Sequence, residues 1–64
     1  MKRRILVRHI EHEGCVFVRE GQRHSVFFNP KTKRSSTVPR HNEIDGFLAK
    51  KICRDLGIKE ISRG

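Results

Sequence analysis

The stretch Gly21–Pro30, GQRHSVFFNP, contains both boundaries of one β-strand. Gly21 is typical of a turn, and the β-branched and aromatic run after it is typical of a strand over residues 23–29. Pro30 ends the strand because proline cannot donate a hydrogen bond to a ladder. Alternation then predicts two faces, with His24, Val26 and Phe28 on one and Ser25 and Phe27 on the other.

Two further strands are predicted on either side of this one. Residues 15–19 are apolar and β-rich, and alternation places Cys15, Phe17 and Arg19 on one face and Val16 and Val18 on the other. A basic turn follows Pro30, and Ser35–Val38 forms a third strand that Pro39 ends. Short links between consecutive strands predict an antiparallel meander. The four aromatic residues are expected mostly in the core: Phe17, Phe27, Phe28 and Phe47.

Helical periodicity appears at both ends of the chain. Lys2–Glu13 carries Leu6 and Ile10 at helical spacing, and Gly14 is suited to the left-handed conformation that ends a helix. The second helix is predicted to begin at Asn42 as N-cap, with acidic residues in its first turn, and to end at Gly57. Its apolar stripe is formed by Ile44, Phe47 or Leu48, the stem of Lys51, Ile52, Cys53 and Leu56.

Two details of the second helix lead to expectations of their own. Glu43 and Asp45 are expected in its first turn, where a carboxylate is favoured by the helix dipole. Gly46 lowers helix stability by about 1 kcal/mol relative to alanine, which predicts a close packing contact at that position. Ile58 is expected to pack beside the Gly57 cap, and residues 59–64 to form a tail.

Together these elements predict one α+β domain over residues 1–64. It is an α-β-β-β-α two-layer domain in which both helices pack on one face of a three-stranded antiparallel sheet. A chain of 64 residues buries only about 60% of its unfolded surface. We therefore expect an open binding face and no dedicated cofactor.

Charge dominates the composition, with 15 Lys and Arg against seven Asp and Glu and a formal net charge of +8. Such a balance favours a polyanion, and nucleic acid, an anionic membrane or an acidic protein remain as partner classes. The weaker alternative is that the charge serves only solubility. No apolar run approaches the length of a membrane span and no signal-peptide pattern opens the chain, which predicts a soluble cytoplasmic protein. Cys15 and Cys53 are expected in the core, and no metal-ligand spacing is present.

His24 is the candidate for chemistry. Histidine exchanges protons near neutral pH, and RNA carries its own nucleophile in the 2′-hydroxyl group. Arg23 or Arg40 could stabilise charge that develops on phosphorus. From spacing alone, however, a lone histidine in a hairpin is more often an ordinary surface residue. Candidate RNA contacts are Arg23, Ser25, Lys31, Lys33, Arg34, Arg40 and His41. For the basic turn with Lys31, Lys33 and Arg34, a solvated loop is an equally good interpretation.

An ordered set of short motifs resembles the HicA-type toxins. It consists of Gly14-Cys-Val-Phe-Val-Arg19, Gly21-x-x-His24-Ser, Asn29-Pro30, Thr37-Val-Pro39-Arg-His41 and Glu43-Ile-x-x-x-Leu48-x-x-x-Ile52-x-x-x-Leu56-Gly57-Ile58. The resemblance implies a fold like a double-stranded-RNA-binding domain and a ribosome-independent ribonuclease that cleaves mRNA. Independence from metal ions is predicted separately, because the 2′-hydroxyl chemistry needs no metal and the sequence shows no metal-ligand spacing. It further implies that His24 is catalytic and that a HicB-type antitoxin covers it.

Two alternatives to the enzyme remain open at this stage. One is a non-catalytic RNA-binding module of the same fold, which would hold phosphates with the basic residues of the second turn and Arg40. The other is an adaptor whose exposed valine row and basic face bind an acidic protein. Replacement of His24 separates the enzyme from the binding module, because a neutral histidine contributes little to counterion release.

Overall fold

The computed structural model describes residues 1–61 of the 64-residue chain. The three strands form one sheet in the order β1-β2-β3 with both pairs antiparallel, which confirms the predicted meander. The elements are α1 (Arg3–His12), β1 (Val16–Glu20), β2 (His24–Asn29), β3 (Arg34–Pro39) and α2 (Gly46–Leu56).

Both helices pack on one face of the sheet. In the central strand, Ser25, Phe27 and Asn29 are buried beneath the helices, while His24 is exposed and points to the other side. The two-layer α+β prediction is confirmed, and the element order is consistent with a double-stranded-RNA-binding-domain-like fold. One hydrophobic core joins α1, the sheet and α2, and its members are Leu6, Ile10, Cys15, Phe27, Val38, Ile44, Ala49, Ile52, Cys53 and Leu56.

A β-bulge changes the predicted facing of β1. Phe17 pairs with Phe27, but Arg19 pairs with Val26, so Val18 has no partner of its own in the register. Because Phe27 and Val26 face opposite sides of the sheet, Phe17 and Arg19 do as well. The prediction that Arg19 shares a face with Phe17 is therefore wrong. The extra residue turns the Arg19 side chain to the face that carries His24.

Glycines end both helices, as predicted. Gly14 has a φ of 98° and Gly57 a φ of 71°, conformations that residues with a Cβ rarely adopt. After α2, the Ile58 N–H donates to the Cys53 carbonyl at 3.0 Å and the Gly57 N–H donates to the Arg54 carbonyl at 3.0 Å. These bonds satisfy carbonyls that the helix end leaves free. Ile58 packs against the core, which confirms its predicted contact.

The start of α2 differs from the prediction. The residue that precedes the helix is Asp45, and Asn42 and Glu43 lie outside it. Residues 42–44 instead pair with the chain's N-terminus, where the Ile44 N–H donates to the Met1 carbonyl at 2.7 Å. Ile44 is only 2% exposed. Burial of Ile44 in an extended segment, together with this backbone pairing, outweighs the local capping preference.

The expectations for Gly46, Phe17 and Phe47 are also wrong. No atom lies within 4 Å of the position that a Cβ on Gly46 would occupy, so no close packing contact explains this glycine. Phe17 is 52% exposed on the edge strand. Phe47 is 83% exposed, because Leu48 rather than Phe47 packs against the core from this part of α2. Phe27 alone among the aromatics is fully buried, at 3% exposure.

The segment after α2 is partly anchored. Ile61 packs against the core, so residues 59–61 are not the free tail that the sequence suggested. The rest of that predicted tail, residues 62–64, lies outside the described residues. Within residues 1–61, neither helix combines the length and the apolar character needed to cross a bilayer.

Candidate active site

His24 begins β2 on the sheet face that the helices leave open. It pairs in register with Pro39 of β3, and its side chain is exposed. Val26 and Phe28 follow it on the same face and are half-buried. The imidazole therefore stands at one end of an open sheet face, on a rigid strand and next to a loop. This is the position that the turn glycine and the strand pattern predict.

The loop before His24 is closed by a short backbone bond. The Gly21 N–H donates to the His24 carbonyl oxygen at 2.6 Å. A Cβ on residue 21 would lie 3.1 Å from that oxygen, which is closer than nine in ten real Cβ contacts. Glycine at this position therefore allows the loop to fold directly against the first residue of β2.

A hydrogen-bond network fixes the same hairpin from the helix side. The Ser25 hydroxyl is 3% exposed, donates to Glu20 Oε1 at 2.9 Å and accepts from Arg3 Nη2 at 2.7 Å. Arg3 Nε also donates to the Pro39 carbonyl at 2.7 Å. Arg40 Nε lies 2.8 Å from Glu20 Oε2. The network links α1, β1, β2 and β3 immediately behind the catalytic candidate.

The predicted RNA-binding residues fall into two separate groups. The first group is exposed near His24: Arg23 precedes His24, and Arg40 and His41 follow Pro39, the strand partner of His24. The second group lies at the far end of the β2–β3 hairpin, about 17 Å along the strand from His24, and comprises Lys31, Lys33 and Arg34. Ser25 belongs to neither group, because its side chain is buried on the helix side.

The far turn is anchored to the end of α2. Asn29 Nδ2 and Thr32 Oγ1 each donate to the Leu56 carbonyl at 2.9 Å. Lys33 has a φ of 63°, and Arg34 Nη1 donates to the Arg54 carbonyl at 3.3 Å. Part of this turn therefore serves to hold the hairpin against the helix.

Both cysteines are free and buried, as the sequence predicted. Desolvation raises the pKa of the Cys15 thiol, and the nearby Cys53 and Glu13 raise it further. Burial also raises the pKa of Cys53. Because the thiolate is the reactive form, neither thiol is suited to act as a nucleophile.

Arg3 and Glu20 are not among the site residues that the sequence predicts. Arg3 contacts Ser25 across 22 residues of chain, and a contact at that separation has no local pattern. The five-residue separation of Glu20 and Ser25 across a glycine turn is the one local signal, since residues at that spacing face each other across a hairpin. Within residues 1–61, no three His, Cys, Asp or Glu side chains are grouped as metal ligands would be.

The protein is thus a small, strongly basic two-layer α+β domain that exposes a histidine on an open sheet face. Comparison with known families makes this specific: the family model described as the HicA toxin of bacterial toxin–antitoxin systems matches residues 3–58. The chain therefore belongs to the HicA toxin family. Members of this family are in general mRNA-cleaving toxins with a cognate antitoxin. No curated protein and no solved structure matches the chain.

Proposed function

We propose that this protein is the toxin of a type II toxin–antitoxin system and an endoribonuclease that cleaves mRNA with His24. The observation that carries the proposal is the exposed His24 imidazole at the start of a rigid strand, in a chain of the HicA family. The same proposal covers independence from the ribosome and from metal ions, and action on mRNA in the cytoplasm.

The proposed reaction uses the 2′-hydroxyl of the RNA as the nucleophile. His24 takes the proton as O2′ forms a bond to phosphorus, and the bond from phosphorus to O5′ breaks. The leaving O5′ receives a proton from the imidazolium, directly or through water. The products are a 2′,3′-cyclic phosphate and a 5′-hydroxyl. Arg23 is exposed next to His24, and a guanidinium there would stabilise the charge on the phosphorane oxygens.

Arg40 is proposed for a supporting role. Its guanidinium is held by Glu20 at 2.8 Å and is 57% exposed, so one side of it remains accessible to a phosphate. His41 follows it on the exposed segment and is a further candidate contact. The remaining candidate contacts at the far turn, Lys31 and Lys33, would hold RNA that extends past the open sheet face.

The proposed partner is a HicB-type antitoxin that covers His24. The β1 edge, which borders the open sheet face, exposes apolar side chains: Val16 is 48%, Phe17 52% and Val18 51% exposed. Such a surface next to the catalytic candidate is suited to a protein partner. A net charge of +8 favours a partner with an acidic surface.

The test compares wild-type protein with His24→Ala and His12→Ala on a long mRNA in EDTA, with analysis of fragment ends. His12 is an exposed histidine in the last turn of α1 and serves as the matched control. We expect the wild type and His12→Ala to cleave alike and His24→Ala to lose about 10²- to 10⁴-fold in rate. Fragments with 5′-phosphates, or a strict requirement for magnesium, would contradict the chemistry.

A non-catalytic RNA-binding module is the second candidate. The observation that favours it is the basic turn at Lys31 and Lys33, which lies apart from His24 and needs no histidine to hold phosphates. This alternative predicts that wild type and His24→Ala bind RNA equally, with the same salt dependence, and that neither cleaves it.

A further inference from the structure

The exposed side of α1 carries cations that no carboxylate of the described chain neutralises. Arg4 and Arg8 are one turn apart on this helix and both are exposed. Every ion pair within residues 1–61 involves other cations. Like charges at this spacing destabilise a helix, so the arrangement is unfavourable unless an anion is bound there.

Two adjoining depressions lie along these side chains. One, of about 280 Å³, is lined by Lys2, Arg3, Arg4 and Asn42. The other, of about 420 Å³, is lined by Arg4, Ile5 and Arg8. Arg4 lines both, and neither has an acidic side chain in its wall. We call the surface formed by Lys2, Arg4, Arg8 and Asn42 the α1 basic surface.

The cations of α2 are in a different electrostatic situation. Of its three cations, Lys51 pairs with Asp55 at 2.9 Å and Arg54 with Glu60 at 3.8 Å, and Lys50 alone forms no ion pair within residues 1–61. In the α1 basic surface, Lys2 alone lies within 4 Å of a carboxylate of residues 1–61, at 3.5 Å from Glu43. The uncompensated positive charge of the two helices is therefore concentrated on α1.

The α1 basic surface adjoins the end of the sheet that carries His24. Arg3 lies between Lys2 and Arg4 in sequence. Its guanidinium donates to Ser25 Oγ, in the residue after His24, at 2.7 Å, and to the carbonyl of Pro39, the strand partner of His24, at 2.7 Å. Through this one side chain, α1 is fixed against the candidate active site. A strand of RNA with a phosphate at His24 could reach α1 around the end of the sheet.

We propose that the α1 basic surface binds the phosphate backbone of the RNA substrate where the strand passes around the end of the sheet. The inference rests on the proposed function and adds a binding site to it. Two open depressions centred on cations about 6 Å apart along the helix axis suit successive phosphates of a polymer better than one isolated anion. Contacts of this kind position the strand without reading its sequence.

The test measures RNA affinity as a function of salt concentration in a His24→Ala background, so that the RNA stays intact. Arg4→Gln/Arg8→Gln is compared with Lys50→Gln/Lys59→Gln, which removes the same charge from two other exposed positions. Loss of two phosphate contacts lowers the slope of log K against log salt by about 1.4 for a single strand. We expect this change for the arginine variant, at most a small change for the lysine variant, and retention of the slope in Arg4→Lys/Arg8→Lys.

Three results would overturn the inference and leave the proposed function standing. Equal losses in both glutamine variants would mean that net charge alone matters. Unchanged RNA binding in the arginine variant, with the parent still binding RNA, would remove α1 from the substrate path. Unchanged RNA binding with weakened antitoxin binding would assign the surface to the protein partner. If the His24→Ala parent and the wild type bind no RNA at all, the proposed function falls together with the inference.

Discussion

The Ser25 hydroxyl holds the hairpin around His24 in place from beneath the sheet. It makes one hydrogen bond to the Glu20 carboxylate and one to the Arg3 guanidinium, and it is almost fully buried. Hydrogen bonds to charged groups contribute more to stability than neutral ones, and a buried charge that loses its partner is unfavourable. Ser25 is therefore expected to act on the site through structure rather than through contact with RNA.

We predict that Ser25→Ala lowers the free energy of unfolding by about 1–3 kcal/mol, measured by urea denaturation. Ser35→Ala is the matched control, because Ser35 is exposed on the neighbouring strand, and its effect should stay within about 0.5 kcal/mol. If Ser25→Ala leaves stability unchanged but weakens RNA binding, the hydroxyl is a substrate contact and the structural role assigned to it is wrong.

Some features of this site can be predicted from the local sequence and others cannot. The position of His24 follows from local chemistry, because a turn glycine and a β-branched run fix where the strand starts. The Arg3–Ser25 contact does not, since it joins residues 22 apart and depends on how α1 packs on the sheet. The separation of His24 from Lys31 and Lys33 could have been anticipated, because a strand of that length keeps its two ends apart.

The end of α2 depends on Gly57 for two independent reasons. Its φ of 71° is unfavourable for any residue with a Cβ, and a Cβ there would lie 2.9 Å from Thr32 Cγ2. Thr32 belongs to the far turn that donates to the Leu56 carbonyl. Substitution would therefore disturb both the helix cap and the docking of the β2–β3 turn.

We predict that Gly57→Ala lowers the free energy of unfolding by at least about 1 kcal/mol from backbone strain alone, with more from the contact with Thr32. Gly46→Ala is the control on the same helix: its Cβ meets nothing within 4 Å, so stability should be unchanged or higher by up to about 1 kcal/mol. Chemical denaturation of both variants measures the difference. Similar changes in the two variants would show that helix propensity, and not the cap, decides the outcome.

The order and type of the elements could be predicted because each has local boundary signals in Gly14, Gly21, Pro30, Pro39 and Gly57. Two errors, one in the facing of β1 and one at the start of α2, have tertiary causes. The bulge in β1 depends on its register with Phe27 and Val26, and α2 begins late because the segment before it pairs with the chain's N-terminus. Neither cause is visible within a short sequence window.

For the molecule as a whole, three consecutive exposed apolar side chains lie on one edge strand, while the exposed Phe47 lies on α2. β1 is an edge strand, so one side of its backbone is free to pair, and its side chains Val16, Phe17 and Val18 are each about half exposed. An edge of this kind is a favourable docking site for an added strand. It borders the open face that carries His24, so a partner bound there is well placed to block access to the imidazole.

The proposed antitoxin should therefore depend on the β1 edge. We predict that Val18→Ser weakens the affinity for the cognate antitoxin about tenfold, or about 1.4 kcal/mol, because binding would bury the half of this side chain that is now exposed. Since Val18 is 51% exposed in the free protein, the substitution should change the free energy of unfolding of the toxin by no more than about 0.5 kcal/mol. Phe47→Ser is the control: Phe47 is 83% exposed on the outer side of α2, so it removes a larger exposed apolar side chain without touching the edge. Isothermal titration calorimetry measures both affinities, and an equal loss for Phe47→Ser, or no loss for Val18→Ser, would place the antitoxin elsewhere on the molecule.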